Sequence, residues 1–120
     1  MRRRQLACVA IALLFLTGAA ADRFGVDDLT RLADVAEPAF SPDGDYIAYS
    51  VTSSNLEADK PQTDLWRVRI HDGRAEPLTG TPKDDEWLPA WSPDGQSIAF
   101  LSDRGGEDAT TQVWILPAFG

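Results

Sequence analysis

One serine of this chain lies in a sequence that a hydrolytic nucleophile could occupy. Ser97 stands in GQSIA (residues 95–99), which matches a loose G-x-S-x-[GA] pattern. In a nucleophile elbow the serine follows a strand and opens a helix, and a histidine must take its proton. Here Ser97 follows a turn and leads into a predicted strand, while His71 lies in a predicted hairpin turn. The sequence therefore predicts no catalytic residue here, and the pattern is interpreted as coincidence.

Two acidic stretches have residues of the types that bind a cation or a phosphate. KDDEW (Lys83–Trp87) clusters three carboxylates, but calcium needs several oxygens converging at about 2.3–2.6 Å, and no calcium-loop spacing is present. DRGGE (Asp103–Glu107) has glycines, but it contains no lysine and no helix is predicted after it, so it is not a phosphate-binding loop. The first stretch is predicted to be a solvated loop whose role stays open, and neither metal nor cofactor is predicted.

The tryptophans could form a ligand-stacking surface or belong to the core. The four are Trp66, Trp87, Trp91 and Trp114. All but Trp87 fall on predicted strands at repeated positions, which favours the core. Trp87 has no such explanation.

A twelve-residue sequence occurs twice in this chain. PAFSPDGDYIAY (Pro38–Tyr49) and PAWSPDGQSIAF (Pro89–Phe100) share eight identical residues, 51 positions apart. In two further positions one aromatic residue replaces another. A fixed period of this length indicates a repeat architecture.

The residues around the first copy predict four short antiparallel strands. SPDG suits a type I turn, in which Ser41 bonds the turn backbone and Gly44 takes the left-handed position. Asp72-Gly73 is a strong hairpin signal, and Pro77 marks the last strand as an edge. The predicted strands are Pro38–Phe40, Tyr46–Thr52, Thr63–Ile70 and Ala75–Thr79.

The second copy repeats the first hairpin and the third strand. Four antiparallel strands per unit, at a period of about forty to fifty residues, are typical of a β-propeller blade. The predicted fold is all-β, an incomplete propeller of about two four-stranded blades preceded by a short helical segment. The helical spacing of Val26, Leu29, Leu32 and Ala33 predicts that segment. Its divisions are a signal peptide at 1–21, a helical lead-in at 22–36, a first blade at 37–80 and a second, incomplete blade at 81–120.

The first residues have the layout of a secretory signal peptide. A basic start is followed by the apolar run Leu6–Leu16 and small residues up to Ala21. That run is shorter than the roughly 20 residues that span a bilayer, so export is predicted, with no membrane span after cleavage. Loss of residues 1–21 would change the net charge from −8 to −11, which argues against nucleic acid as a partner. The single cysteine, Cys8, would leave with the signal.

The repeat resembles the SPDG-type propeller repeats of two exported groups. PAWSPDGQSIAFLSDRGGEDATTQVWILPAFG (residues 89–120) is similar to repeats of the prolyl oligopeptidase family of serine peptidases and of the periplasmic propeller of the Tol system. VDDLTRLADVAEPAFSPDGDYIAYSV (26–51) looks like the opening of the acylaminoacyl-peptidase and dipeptidyl-peptidase branches, and TDLWRVRIHDGRAEPLTG (63–80) looks like part of their first blades. A Tol-type protein would be expected to carry an α/β domain before its propeller, whereas here the repeat begins within about twenty residues of the predicted cleavage site. The resemblance therefore favours the peptidase, with the non-catalytic Tol-type binding propeller as the alternative.

The resemblance also implies where the chemistry of such a protein lies. In that family the Ser, Asp and His triad belongs to a C-terminal α/β-hydrolase domain, and the propeller restricts access to it. None of those positions falls in this chain, which is expected to be a fragment that is inactive alone. A peptide substrate is expected only in a full-length protein. Self-association through exposed blade edges is the other expected contact, and a small domain that closes by oligomerising is a third interpretation.

Overall fold

The described part of the chain consists of strands that form two antiparallel sheets. The structure is a computed structural model and describes residues 32–55, 58–106 and 108–120. Sheet 1 has the order β1-β2-β3-β4 and sheet 2 the order β5-β6-β7. The strands are β1 (Ala33–Phe40), β2 (Tyr46–Asn55), β3 (Lys60–Arg69), β4 (Ala75–Pro77), β5 (Glu86–Trp91), β6 (Ser97–Ser102) and β7 (Gln112–Pro117). The predicted all-β fold is confirmed.

The first SPDG segment forms the turn between β1 and β2 as predicted. The Gly44 amide donates to the Ser41 carbonyl at 3.0 Å, and Gly44 has a positive φ of 78°. The Ser41 hydroxyl donates to Asp43 at 2.5 Å and accepts from the Tyr46 amide at 3.0 Å. The hydroxyl hydrogen bond, with a second from the Asp45 amide, lowers the pKa of the Asp43 carboxyl. One serine side chain thus organises the whole turn.

The second SPDG segment repeats this arrangement between β5 and β6. Ser92 donates to Asp94 at 2.6 Å and accepts from the Ser97 amide at 3.0 Å. Gly95 has a φ of 71°, and its amide donates to the Ser92 carbonyl at 2.9 Å. The repeated sequence therefore gives the same backbone twice.

Gly44→Ala tests this turn, because the substitution should lower the stability only through the backbone conformation that it disfavours. A Cβ at Gly44 would meet no atom within 4 Å, yet the positive φ disfavours any L side chain. We expect the free energy of unfolding to fall by about 1–2 kcal/mol, measured by urea denaturation. Gly80→Ala is the matched control, since Gly80 is equally open and lacks the left-handed φ. An equal loss in both variants would contradict the assigned turn.

Each sheet also carries a bulge between its first two strands. The register shifts between Ala36 and Ala39 in sheet 1 and between Trp87 and Ala90 in sheet 2. At the bulges Glu37 and Leu88 have φ values of 55° and 56°, although neither is glycine. The sequence does not predict these bulges, because neither glutamate nor leucine favours a positive φ.

The beginning of β1 corrects one prediction. The helical lead-in was placed at residues 22–36, but Ala33–Ala36 are strand, and β1 begins five residues before the predicted Pro38. These residues pair with β2, with Val35 opposite Val51, and the ladder outweighs their helical spacing. Of the rest of the lead-in, residues 22–31 lie outside the described part, as does the predicted signal peptide.

The two sheets stack in a head-to-tail manner. A buried cluster of Ala48, Ile98 and Ala118 joins them, and partly buried Leu78, Trp91 and Leu116 pack around it. In the repeat Ile98 corresponds to Ile47, the neighbour of Ala48. Neighbouring residues of a strand point to opposite faces, so Ala48 and Ile47 lie on opposite faces of sheet 1. Sheet 1 therefore contacts the Ile98 face of sheet 2 with its Ala48 face, and its Ile47 face, which is equivalent to the Ile98 face, points away.

This stacking suits a propeller, in which each sheet packs one face on the preceding sheet and the other on the following one.

Among the described residues no helix is long and apolar enough to cross a membrane.

Candidate functional site

The structure places Ser97 and His71 where neither can act in a nucleophile elbow. Ser97 begins β6 opposite Pro117 in β7, so a strand follows it where the elbow needs a helix. His71 is exposed in the turn that follows β3. The interpretation of GQSIA as coincidence agrees with this geometry.

The acidic stretch Lys83–Trp87 is not a solvated loop throughout, and this prediction was wrong for Glu86. The Glu86 side chain is 0% exposed and stands at the start of β5. Its Oε1 accepts from Arg104 Nη2 at 2.9 Å, from Arg104 Nε at 3.2 Å and from the Thr81 hydroxyl at 2.7 Å. A buried ion pair thus lies where the sequence predicted a hydrated carboxylate.

The Glu86–Arg104 pair is only partly satisfied. Among the described residues Glu86 Oε2 is buried without a hydrogen-bond partner. Arg104 is 29% exposed in its side chain, and its guanidinium lies 5.4 Å from the Phe100 ring and 5.3 Å from the Trp114 ring. The aromatic contacts hold Arg104 in place, since a cation is attracted to the face of an aromatic ring.

Neighbouring polar groups tie this end of sheet 2 to sheet 1. Asp85 accepts from the Thr63 amide at 2.8 Å, and its own amide donates to Asp103 at 2.8 Å. The Gln62 side-chain amide donates to the Thr81 carbonyl at 2.9 Å. These bonds link β3 to the segment before β5, so the acidic stretch connects the two sheets.

The carboxylate density at this end has an electrostatic cost. Burial raises the pKa of Asp64, and the Glu86 and Asp85 carboxylates act in the same direction, against a hydrogen bond from Gln62. Within residues 32–55, 58–106 and 108–120 no group of three or more His, Cys, Asp or Glu side chains has an arrangement that could hold a metal ion. The bonds at this end that link the two sheets are those of Asp85 with Thr63 and of Gln62 with Thr81.

An arginine–aromatic cluster occupies the opposite end of the seam between the sheets, and consists of Arg67, Tyr46, Trp91 and Phe119. The Arg67 guanidinium lies 4.5 Å from the Phe119 ring and 5.1 Å from the Tyr46 ring. It also donates to the Ala118 carbonyl and pairs with Glu76. Trp91 Nε1 donates to the Ala39 carbonyl at 2.9 Å. This cluster joins β3 to the segment after β7.

A shallow pocket lies beside that cluster. It has a volume of about 260 Å³ and is lined by Tyr46, Arg69, Arg74 and Glu76. Asp72 holds Arg69 at 2.5 Å and thereby raises the pKa of the Arg69 guanidinium and lowers that of its own carboxyl. The lining offers polar contacts but no Ser, Cys or His side chain, and its single carboxylate, Glu76, is paired with Arg67.

The tryptophans are all on strands, and none of them is fully buried. Trp91 packs against the Ala48, Ile98 and Ala118 cluster, whereas Trp114 is 37% exposed. Trp87, for which the sequence offered no role, lies in β5 opposite Leu101. The prediction of a core position thus fits Trp91 best.

Sequence comparison relates the chain to peptidases. No protein-family model matches it. The uncharacterized peptidase YuxL of Bacillus subtilis is 36% identical over 95 residues, which is 78% of this chain and 14% of the relative. Dipeptidyl-peptidase 5 of Porphyromonas gingivalis is 36% identical over 75 residues, which is 62% of this chain and 11% of the relative. The chain spans about a seventh or less of the length of these relatives.

Solved structures show a similar fold. An acylaminoacyl peptidase of Pyrococcus horikoshii matches 76% of this chain and 13% of its own, with a TM-score of 0.60 and 28% identity. The β-propeller domain of the Trilobed protease from Pyrococcus furiosus matches 74% of this chain and 25% of its own, with a TM-score of 0.60. At 21% identity the second match concerns the fold alone, and that fold is a propeller.

Two kinds of comparison point to the same kind of protein. The relatives in sequence are peptidases, and the two antiparallel sheets match a propeller fold. Sequence and fold together relate this chain to the propeller portion of peptidases of the prolyl oligopeptidase family, in the branch of acylaminoacyl and dipeptidyl peptidases.

Proposed function

We propose that this chain forms the first two blades of the propeller of an exported serine peptidase, and that the propeller limits which peptides reach the catalytic residues. The observation that carries the proposal is the 36% identity to a peptidase over 78% of the chain. The head-to-tail stacking of the two sheets supports it, because such stacking is repeated around a propeller.

The proposal assigns the chemistry to another domain. Acyl transfer of this type needs a nucleophile, a base and a group that orients the base. Ser97 lies in a strand and His71 in an exposed turn. The described residues would therefore form part of the propeller that limits access, and they do not form a triad. An α/β-hydrolase domain elsewhere in the full-length protein would supply the triad.

Export is the second part of the proposal. It is supported by the basic start, the apolar run Leu6–Leu16 and the small residues before Asp22. The sequence after Cys8 contains no further cysteine. This part of the chain is compatible with an oxidising compartment, because it has no free thiol to oxidise.

Both parts can be tested in the cells that make the protein. An antibody raised against this chain would be used to isolate the native protein from fractionated cells after labelling with a fluorophosphonate, which reacts with activated serines. We expect a labelled protein several times larger than the 13.1 kDa chain, in the exported fraction. The recombinant chain, labelled in parallel, should not react.

Controls separate the two claims. A cytoplasmic marker protein monitors leakage between fractions, and denaturation before labelling shows whether the reaction needs a folded site. A large protein that does not label would contradict the peptidase assignment and favour a binding propeller. A labelled protein found in the cytoplasm would contradict export alone.

A further inference from the structure

Sheet 1 has an apolar face that no described residue covers. This open face consists of Val35, Pro38, Ile47, Tyr49 and Val68, which line a groove of about 360 Å³. Val35 is 62% exposed. Exposed contiguous apolar surface of this kind marks a contact with another surface.

Sheet 2 has a second uncovered apolar face, here called the outer face. Val113 and Ile115 of β7 are 69% and 70% exposed. They pair with Leu101 and Ala99 of β6, so these four residues share one side of the sheet. That side is opposite to the one that carries Ile98.

The two uncovered faces correspond to the two halves of an interface that the chain already contains. Inside the chain the Ala48 face of sheet 1 covers the Ile98 face of sheet 2. In the repeat Ile47 corresponds to Ile98, so the open face is equivalent to the covered face of sheet 2. Ala99 corresponds to Ala48, so the outer face is equivalent to the face that does the covering.

The register of the strands confirms this correspondence. Ala48 lies opposite Arg67, and Ala99 lies opposite Ile115. The outer face therefore carries an isoleucine where its counterpart carries an arginine. It is the more apolar of the two, and burying it would avoid the desolvation of a charge.

From this equivalence we propose that, in the 120-residue chain, the open face of one copy is covered by the outer face of a second copy. The contact repeats the stacking of sheet 1 on sheet 2. Because the two faces differ, the contact is heterologous and each copy keeps one face of each kind for further copies. The proposal concerns this chain alone, and it does not depend on the assignment to a peptidase.

Salt should strengthen this contact. Without the predicted signal peptide, residues 1–21, the chain carries a net charge of −11, so copies repel each other, and added salt screens that repulsion. An association held by ion pairs would instead weaken as salt is added.

The test uses residues 22–120 and one blocked face at a time. Val35→Lys places a charge on the open face, and Ile115→Lys places one on the outer face. Sedimentation velocity over a range of concentrations should show that the unmodified chain associates beyond a dimer. Each variant alone should associate at least about tenfold more weakly, because a buried unpaired charge costs more than the 1.4 kcal/mol of a tenfold change.

The decisive sample is the equimolar mixture of the two variants. One variant still has its outer face and the other its open face, so the mixture should form a 1:1 dimer and nothing larger. Thr111→Lys, at an exposed position of the loop before β7, is the charge-matched control and should associate like the unmodified chain. Phe40, which lies opposite Ile47 and so on the same side of sheet 1 as the open face, is 65% exposed, and Val113 of the outer face is 69% exposed. Phe40→Lys and Val113→Lys replace any variant that fails to fold by circular dichroism.

Three results would overturn the proposal. An unmodified chain that stays monomeric would show that the two faces do not meet between copies. A single variant that still dimerises would show that like faces meet. A mixture that remains monomeric while the unmodified chain associates would show that the contact lies elsewhere, for example at the strand edges.

Discussion

Replacing Arg104 with alanine is expected to destabilise the folded chain by about 3–5 kcal/mol. The replacement would leave Glu86, which is 0% exposed, as a carboxylate without its cation in a place that water does not reach. Urea denaturation followed by tryptophan fluorescence would measure the change in the free energy of unfolding. Arg69→Ala is the control, because its partner Asp72 and Arg69 itself are exposed, and exposed pairs contribute little.

The double variant Glu86→Leu/Arg104→Met distinguishes loss of a charge partner from loss of packing. Glu86 Oε2 is buried without a hydrogen-bond partner among the described residues, so the pair is incompletely compensated. Replacing both charges by apolar side chains of similar size should recover most of the stability, as it does for other buried pairs. If Arg104→Ala were as mild as Arg69→Ala, Glu86 would have to be hydrated, and the buried pair would be refuted.

Ile98→Ala is expected to cost about 2–5 kcal/mol, the range for truncating a fully buried aliphatic residue. Ile98 is 0% exposed and lies in the cluster that joins the two sheets. Its truncation therefore removes contacts within sheet 2 and between the sheets. The measurement is the free energy of unfolding from urea denaturation, at protein concentrations low enough to keep the chain monomeric.

The repeat provides the matched control, Ile47→Ala. Ile47 occupies the same place in the first twelve-residue copy, but it lines the open face of sheet 1 and is only half-buried. Its truncation should cost about 1 kcal/mol, since part of its apolar area stays in water and no closed cavity forms. Equal losses at the two positions would show that sheet 1 does not cover Ile98 as described.

Some features of this fold could be predicted because short stretches of sequence determine them. The Ser41 and Ser92 turns follow from SPDG alone, since every bond that defines them joins residues at most five positions apart. The hairpin at Asp72-Gly73 and the edge position of Pro77 follow in the same way from turn and strand chemistry. The propeller class followed from the 51-residue period and needed no tertiary information.

Other features could not be predicted, because they depend on contacts between distant residues. Glu86 looked like one of three solvated carboxylates, and only its partner Arg104, 18 positions later, makes its burial possible. Nothing in the sequence around Arg67 indicates its partner, because the Ala118 carbonyl to which it donates lies 51 positions away. The strand at Ala33–Ala36 depends on its pairing with β2, which overrides an apolar spacing typical of a helix.

By itself the sequence determined the repeat, its turns, most of its strands and the kind of protein that the chain resembles. The tertiary structure decided which face of each strand is covered, and it thereby made Ile98 a core residue and left the equivalent Ile47 on an open face. The physical reason is that turn and strand formation are local, whereas burial depends on which surface another part of the chain brings into contact. Two copies of one motif therefore share a backbone and differ in environment.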